Sequence, residues 1–237
     1  MFKLKMVMRM KRINFVGGII MMMLAFSVNA SAKYKVGQIY DEDGLKGLVV
    51  YVDDSGEHGL LMSLESSGKK WLDDKDEKFN TGAFYEDDGE KNMAALQKFI
   101  DENGKTWELF PLFEWARSLG AGWYIPATDE LKHILNAING GEGKFNSKYM
   151  KPISKALKKA KGDKLMNTGF GGTNAPYSMQ SSTETDGGMV STLVFEESLG
   201  SALIGISKTP KGKFKIQPML KTMGGKLLYH SRAVHKF

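Results

Sequence analysis

Cysteine is absent from all 237 residues of the sequence. The chain therefore forms no disulfide, has no thiol nucleophile, and offers no N-terminal cysteine to which a lipid could be attached. Because no disulfide stabilises the folded protein, its stability must come from an apolar core.

Histidine is scarce, with four residues in the whole chain: His58, His133, His230 and His235. His230 and His235 are five positions apart, so on one strand their side chains would lie on opposite faces of the sheet. His133 falls near the inner face of a predicted helix, which indicates a packing role. The sequence therefore predicts no metal site and no catalytic residue of this type.

Motifs of the common hydrolases are missing as well. No Gly-x-Ser-x-Gly nucleophile elbow occurs, and Ser181 and Ser182 have no assignable histidine partner. Glu196 and Glu197 are sequence neighbours, whereas glycosidases need two carboxylates that face each other about 5–9 Å apart. We therefore predict that the protein is not an enzyme.

An acidic segment over residues 66–90 is predicted to be a solvated loop inserted into the domain. Its densest part, residues 73–77, contains Lys75 and lacks the central glycine of a calcium-binding EF-hand loop. Calcium is the one cofactor considered for this segment, but no motif in the sequence supports a calcium site. No other cofactor is predicted. Four aromatic residues indicate that the loop packs onto the domain: Trp71, Phe79, Phe84 and Tyr85.

Residues 1–32 have the three parts of a secretory signal peptide. A basic start that ends at Arg12 precedes an apolar run over residues 15–28 and the small-residue pattern Ala30-Ser31-Ala32. The apolar run is shorter than the roughly 20 residues that a bilayer-spanning helix needs. We therefore favour cleavage after Ala32 over a retained membrane anchor, and expect a periplasmic, cell-surface or extracellular protein with no membrane span in the mature chain.

Removal of this leader also removes most of the positive charge. The whole chain has 33 basic and 27 acidic residues, a net charge of +6. Five of the basic residues and none of the acidic ones lie within residues 1–32, so the remaining chain carries only +1. A nucleic-acid partner is therefore not predicted.

From residue 33 on, the sequence predicts strands, then helices, then strands. Apolar runs bounded by Asp- and Gly-rich turns, the first of them at residues 41–44, predict early strands at 36–40, 48–52 and 59–64. Helices are predicted at 91–100, 110–119, 128–138 and 149–161. Later strands are predicted at 177–183, 189–195, 202–207, 214–217 and 227–234. This order favours a single α+β domain over residues 33–237, with small antiparallel sheets.

The strongest local signal lies in residues 122–138. An apolar strand is predicted to stop at Pro126, since proline cannot donate a hydrogen bond to a neighbouring strand. A helix follows, with Thr128 as its predicted N-cap. The buried face of this helix is predicted from residues at helical spacing: Leu131, Ile134, Leu135 and Ile138.

The predicted helix at 149–161 is rich in lysine and has an apolar face. A solvated outer face on a helix packed against the core is favoured, and a helix lying on a membrane surface is the alternative. Trp71 and Trp107 lie near loops, where an indole ring could stack on a sugar, although packing is favoured for each. Trp123 is predicted to lie in the core.

Three short blocks together resemble one protein family. Residues 122–131 resemble a G-W-x-[LI]-P-[ST]-x-x-E-L block, residues 177–184 resemble a Y-W-S-S-T-E strand without its tryptophan, and residues 231–237 resemble a terminal V-R-x-V-R-x-F strand. Residues 34–40 and 47–51 are similar to the leading strands of the same domains. The family is that of secreted bacterial C-type-lectin-like domains, which are related to the sulfatase-modifying (formylglycine-generating) fold and to the C-terminal domain of collagen-like adhesins.

The resemblance implies a C-type-lectin-like fold, with two to four helices flanking small sheets, long ligand-binding loops, and N- and C-terminal strands close together. The sequence lacks the active-site residues that members of this family and its relatives use. Formylglycine-generating enzymes use cysteines, the related iron-dependent sulfoxide synthases use a histidine cluster, and sugar-binding lectins use Glu-Pro-Asn or Gln-Pro-Asp. None of these features occurs in this sequence.

The expected function is therefore an exported, non-catalytic binding or adhesion module that recognises a glycan or protein ligand at the cell envelope. The predicted ligand contacts lie in the long polar loop and the strand after it: Asn167, Asn174, Tyr177, Gln180, Ser182 and Glu184. Two alternatives are an enzyme of the formylglycine-generating-like superfamily with a non-standard site, and a structural subunit of a surface assembly.

Overall fold

The computed structural model describes residues 33–73, 80–165, 178–197, 212–223 and 230–237. Tyr34–Phe237 forms one compact unit. The described part contains four α-helices and two antiparallel sheets of four strands each. The predicted α+β class is therefore confirmed. None of the described helices is long and apolar enough to cross a membrane.

The helices are α1 (Gly89–Asn103), α2 (Pro111–Ser118), α3 (Thr128–Asn139) and α4 (Ser147–Lys159). The strands are β1 (Ile39–Glu42), β2 (Leu45–Val52), β3 (Gly59–Met62), β4 (Gly143–Lys144), β5 (Ser178–Thr185), β6 (Met189–Glu197), β7 (Gly212–Leu220) and β8 (Val234–Lys236). The first sheet has the order β1-β2-β3-β8 and the second the order β4-β7-β6-β5. The predicted strand at 202–207 lies outside the described residues.

The first sheet is covered on both faces, which explains the continuous apolar runs in its central strands. Along β2, Leu48 and Val50 belong to one hydrophobic cluster and Val49 belongs to the other. Along β3, Leu60 and Leu61 divide between the clusters in the same way. Successive residues of a strand point to opposite faces, so each run supplies both layers of the core.

The turn between β1 and β2 is tighter than the sequence predicts. Asp41 and Glu42 were expected in the turn but pair with β2 as part of β1. Asp43 and Gly44 alone make the connection, with φ angles of 53° and 79°. Positive φ at both central residues is typical of the two-residue hairpin turn whose twist matches the strands.

Helix α3 confirms the predicted buried face but not the predicted cap. Its four apolar residues are all buried: Leu131, Ile134, Leu135 and Ile138. The N-cap is Ala127, and Thr128 is the first helical residue. The Ala127 N–H is satisfied by the Glu130 carboxylate, with an N to Oε2 distance of 2.8 Å. The first N–H groups of the helix are satisfied from other segments, because that of Thr128 donates to the Thr183 hydroxyl at 3.0 Å and that of Asp129 to the carbonyl oxygen of Glu86 at 2.7 Å.

The first and last strands share a sheet but occupy its two opposite edges. The two strands nevertheless approach each other at one end, because the Phe237 ring that follows β8 lies 5.1 Å from the Tyr40 ring of β1, measured between centroids. The Phe237 ring also packs edge-on against Tyr34 with ring centroids 5.0 Å apart. The backbone N–H of Gly59 also donates to the carbonyl oxygen of Phe237.

Candidate binding loop and its buried support

Strand β5 is polar in sequence but buried in the structure. Seven of its eight residues, Ser178 through Glu184, are buried. A buried polar group destabilises a protein unless it is hydrogen-bonded, so this strand must be surrounded by donors and acceptors. Those partners come from segments far away in sequence, and they include the loop formed by residues 81–88, here called the aromatic loop.

Glu184 anchors the start of the aromatic loop. Its carboxylate accepts hydrogen bonds from the backbone N–H groups of Thr81, Gly82 and Ala83, with distances to Oε2 of 2.8, 3.1 and 3.3 Å. The same carboxylate pairs with the ammonium of Lys221, and both side chains are fully buried. The Lys221 Nζ atom also lies 4.9 Å from the centroid of the Trp71 ring.

Further contacts fix the middle of the aromatic loop. The Asn92 side chain accepts from the backbone N–H of Tyr85 at 2.9 Å and donates to its carbonyl oxygen at 2.7 Å. The Thr183 hydroxyl donates to the same carbonyl at 2.9 Å. The backbone N–H of Asp129 donates to the carbonyl oxygen of Glu86 at 2.7 Å. The loop backbone is thus held by α1, α3 and β5.

The aromatic loop presents two large side chains to solvent. Phe84 is 48% exposed and Tyr85 is 47% exposed. The segment does pack onto the domain, but through the buried Trp71 and the backbone of the loop rather than through these two rings. Glu86 and Asp87 follow and are also exposed. The result is a pre-ordered surface element with adjacent rings and carboxylates.

The tryptophans considered for sugar stacking have other roles. Trp71 is fully buried and its indole N–H donates to the carbonyl oxygen of Ser181 at 3.1 Å. Trp107 is half-buried, and the Arg117 guanidinium lies 4.4 Å from its ring centroid. Trp123 is buried, as predicted. Phe79 lies outside the described residues.

The predicted ligand contacts divide into two groups. Asn167, Asn174 and Tyr177 lie outside the described residues. The other three are buried and bonded internally: Gln180, Ser182 and Glu184. The Gln180 amide donates to the carbonyl oxygen of Met223, and the Ser182 hydroxyl accepts from Asn92. These three side chains therefore support the fold around the aromatic loop. Phe84 and Tyr85 were predicted to pack rather than to bind a ligand, although two adjacent aromatic residues in a solvated acidic segment are also consistent with a binding surface.

A second buried polar centre lies at Glu130. Its carboxylate accepts from the Tyr124 hydroxyl at 2.6 Å and from the Gly89 N–H at 3.1 Å. Burial raises the pKa of the Glu130 carboxyl above its usual range, and the hydrogen bonds oppose this shift. Burial and the nearby carboxylate also raise the pKa of Tyr124. This group joins the starts of α1 and α3, which hold the aromatic loop.

The histidines are dispersed. The His133 ring stacks on Tyr51 with centroids 3.9 Å apart, and His235 packs against Trp123. His230 is buried, whereas His58 is exposed. Across the described ranges, no group of three or more histidine and carboxylate side chains could hold a metal ion.

We expect the protein to lose stability between pH 7 and pH 5 through its buried histidines. Burial lowers the pKa of His133 and His230, and Arg232 lowers that of His230 further. As the pH falls, these two histidines therefore bind protons in the unfolded chain at a higher pH than in the folded protein. The free energy of unfolding present above about pH 6.5 declines as a result. Denaturant unfolding at several pH values should show that His230→Asn flattens this dependence, by up to about 1.4 kcal/mol per pH unit.

His58→Asn is the matched control, since an exposed histidine should leave the slope unchanged. The raised pKa of Glu130 acts in the opposite direction, because its protonation favours the folded state. The difference between variants is therefore the quantity to measure. Equal slopes for the wild type and His230→Asn would contradict the assignment.

The chain was compared with known protein families, with curated proteins and with solved structures. No family, curated protein or solved structure matches it.

Proposed function

We propose that the protein is an exported, non-catalytic binding or adhesion module with a C-type-lectin-like fold. Its ligand is a glycan or a protein at the cell envelope. The observation that carries the binding role is the aromatic loop, which presents Phe84 and Tyr85 from a backbone fixed by buried partners.

Support for the lectin-like fold comes from how the three family-like blocks meet. The backbone N–H of Ser182 donates to the carbonyl oxygen of Pro126 at 2.7 Å, which joins the first two blocks. Tyr124 and Val234 exchange backbone hydrogen bonds of 3.0 and 2.8 Å, which join the first block to the third. Blocks that mark one fold are expected to form one contiguous unit, and these segments lie side by side.

The aromatic loop suits ligand binding on energetic grounds. A loop that is ordered before binding loses little conformational freedom when the ligand arrives. Aromatic side chains contribute large contact areas to interfaces, and the tyrosine hydroxyl adds a hydrogen-bonding group. The exposed carboxylates of Glu86 and Asp87 supply acceptors for hydroxyl or amide donors of a ligand.

The test is a double variant, Phe84→Ser with Tyr85→Ser. A glycan array and a pull-down from cell surfaces would first identify what the wild type binds. We then expect the double variant to bind this ligand at least about tenfold more weakly, because the rings supply most of the contact. Its free energy of unfolding should change by less than about 1 kcal/mol, since half-exposed side chains contribute little to the core.

Tyr149→Ser is the matched control, because Tyr149 is 41% exposed and lies on α4. It should bind like the wild type. Empty results from both the array and the pull-down would count against a binding module. Undiminished binding by the double variant would move the site away from the aromatic loop.

A further inference from the structure

The segment over residues 144–164 contains an unusual concentration of lysine. Its eight lysines are all exposed and are here called the lysine face: Lys144, Lys148, Lys151, Lys155, Lys158, Lys159, Lys161 and Lys164. The single acidic residue of the segment is Asp163. Its carboxylate accepts hydrogen bonds from the backbone N–H and hydroxyl of Ser66, at 2.7 and 2.9 Å.

The lysine face has no neutralising carboxylate within the described part of the chain, because none of its ammonium groups forms an ion pair there. Many lysines elsewhere on the surface differ in this respect. Four of them each pair with a carboxylate: Lys46, Lys70, Lys98 and Lys132. Lysines without an ion pair are therefore concentrated in this face.

Helix α4 gives the lysine face its shape. Met150, Ile153 and Leu157 point into the core and are buried. At about 100° per residue, the helix lysines from Lys148 to Lys159 lie on the opposite side, within an arc of about 100° and over a length of about 16 Å. The face is therefore a straight, convex ridge of ammonium groups.

Such a ridge is unfavourable for the isolated protein. Lys151 and Lys155 are four positions apart, and Lys155 and Lys158 are three apart, so like charges repel along the helix. The segment carries seven positive charges net, whereas residues from 33 on carry +1 in total. The charge is thus concentrated in one segment, five of whose lysines share a face of α4, and an anionic partner would relieve the repulsion.

We propose that the lysine face binds the surface of an anionic lipid bilayer. A cluster of lysines on an amphipathic helix is attracted by the negative potential of such a surface. Lysine is a compact, strongly hydrated charge, which suits many dispersed anions better than recognition of one group. The apolar side of α4 is already occupied by the core, so binding is electrostatic and peripheral, without insertion of the helix.

The shape of the face favours a membrane over a soluble polyanion. Proteins that bind single-stranded nucleic acids combine a basic groove with stacking aromatic rings. The lysine face is a ridge on the outside of a helix and has no groove.

The experiment measures co-sedimentation with vesicles of phosphatidylcholine alone and of phosphatidylcholine with phosphatidylglycerol. Residues 33–237, the chain expected after removal of the leader, are used, so that the basic residues of the leader do not contribute. The lysine-face variant replaces four lysines with glutamine: Lys151, Lys155, Lys158 and Lys159. The paired-lysine variant makes the same change of charge elsewhere, at Lys46, Lys70, Lys98 and Lys132.

We expect the wild type to bind only the anionic vesicles and to dissociate when the salt is raised from about 0.05 M to about 0.5 M. The affinity of the lysine-face variant for these vesicles should be about 100-fold lower than that of the wild type. The affinity of the paired-lysine variant should stay close to that of the wild type. Circular dichroism must show that both variants are folded. Removing charges on the ridge should not disturb the core, since these side chains are exposed.

Three outcomes would overturn the proposal. The first is no binding to anionic vesicles at low salt. The second is an equal loss in both variants, which would make net charge the cause. The third is binding to heparin or duplex DNA without binding to vesicles, which would identify a soluble polyanion as the partner. Ligand binding by the aromatic loop is measured separately with the Phe84 and Tyr85 variants, so either proposal can fail alone.

Discussion

Replacing Lys221 with methionine is expected to lower the free energy of unfolding by about 3–5 kcal/mol. Lys221 and Glu184 form an ion pair in which both side chains are fully buried. Removing the ammonium leaves a carboxylate in the interior with no counter-charge, and its desolvation is then offset only by hydrogen bonds from the loop backbone. Urea unfolding followed by circular dichroism measures the difference.

Glu184→Gln tests the same pair from the other side. The carboxamide keeps one acceptor oxygen for the N–H groups of Thr81, Gly82 and Ala83 but removes the buried negative charge that pairs with the Lys221 ammonium. We expect a similar loss of about 3–5 kcal/mol. The double variant Glu184→Gln with Lys221→Met should be less destabilised than the sum of the two, because it removes both charges of the pair together.

Lys132→Met is the matched control for these variants. Lys132 pairs with Asp129, but both side chains are about half exposed, and exposed pairs contribute about 1 kcal/mol or less. If Lys221→Met were as mild as this control, the buried pair would not be the anchor of the aromatic loop.

The second large effect is expected at Arg232, which is fully buried. Its guanidinium donates to four backbone carbonyl oxygens: those of Ser63 at 2.7 Å, Leu64 at 2.9 Å, Asp163 at 2.9 Å and Lys164 at 3.3 Å. This fork joins the segment after β3 to the segment after α4. Lysine cannot replace it, because one ammonium does not reproduce a planar group with donors on two sides.

Arg232→Lys should therefore lower the free energy of unfolding by about 2–4 kcal/mol, since at least one pair of buried carbonyls loses its donors. The measurement is again denaturant unfolding, with the midpoint and slope compared. Arg117→Lys serves as control, because Arg117 is exposed on α2 and should change stability by less than about 0.5 kcal/mol. Equal stability of Arg232→Lys and the wild type would show that the fork is dispensable.

Local patterns in the sequence predicted much of the fold. The apolar spacing of α3 gave its buried face, because helical periodicity is a property of neighbouring residues. The early strands were predicted at nearly the right positions because apolar runs and the turn residues that bound them are also local features. The predicted N-cap was wrong because the first N–H groups of the helix donate to Thr183 and Glu86, which are distant in sequence, and no local capping hydroxyl is used.

The candidate site was much harder to predict, because its parts are distant in sequence. Glu184 contacts Lys221 and the N–H of Thr81. No short sequence motif predicts contacts between residues so far apart in the chain. Strand β5 was interpreted as a ligand-binding surface since it is polar. Its burial becomes intelligible only when Asn92, Lys221 and the loop backbone are placed around it, and placing them requires the tertiary structure.

The position of β8 has a consequence for the order of folding. This strand supplies the last edge of the first sheet, where Val234 pairs with Met62 of β3 and Phe237 reaches Tyr34 near the beginning of the unit. The sheet cannot be completed before β8 has been synthesised, long after β1, β2 and β3. Contacts between such distant segments also slow folding.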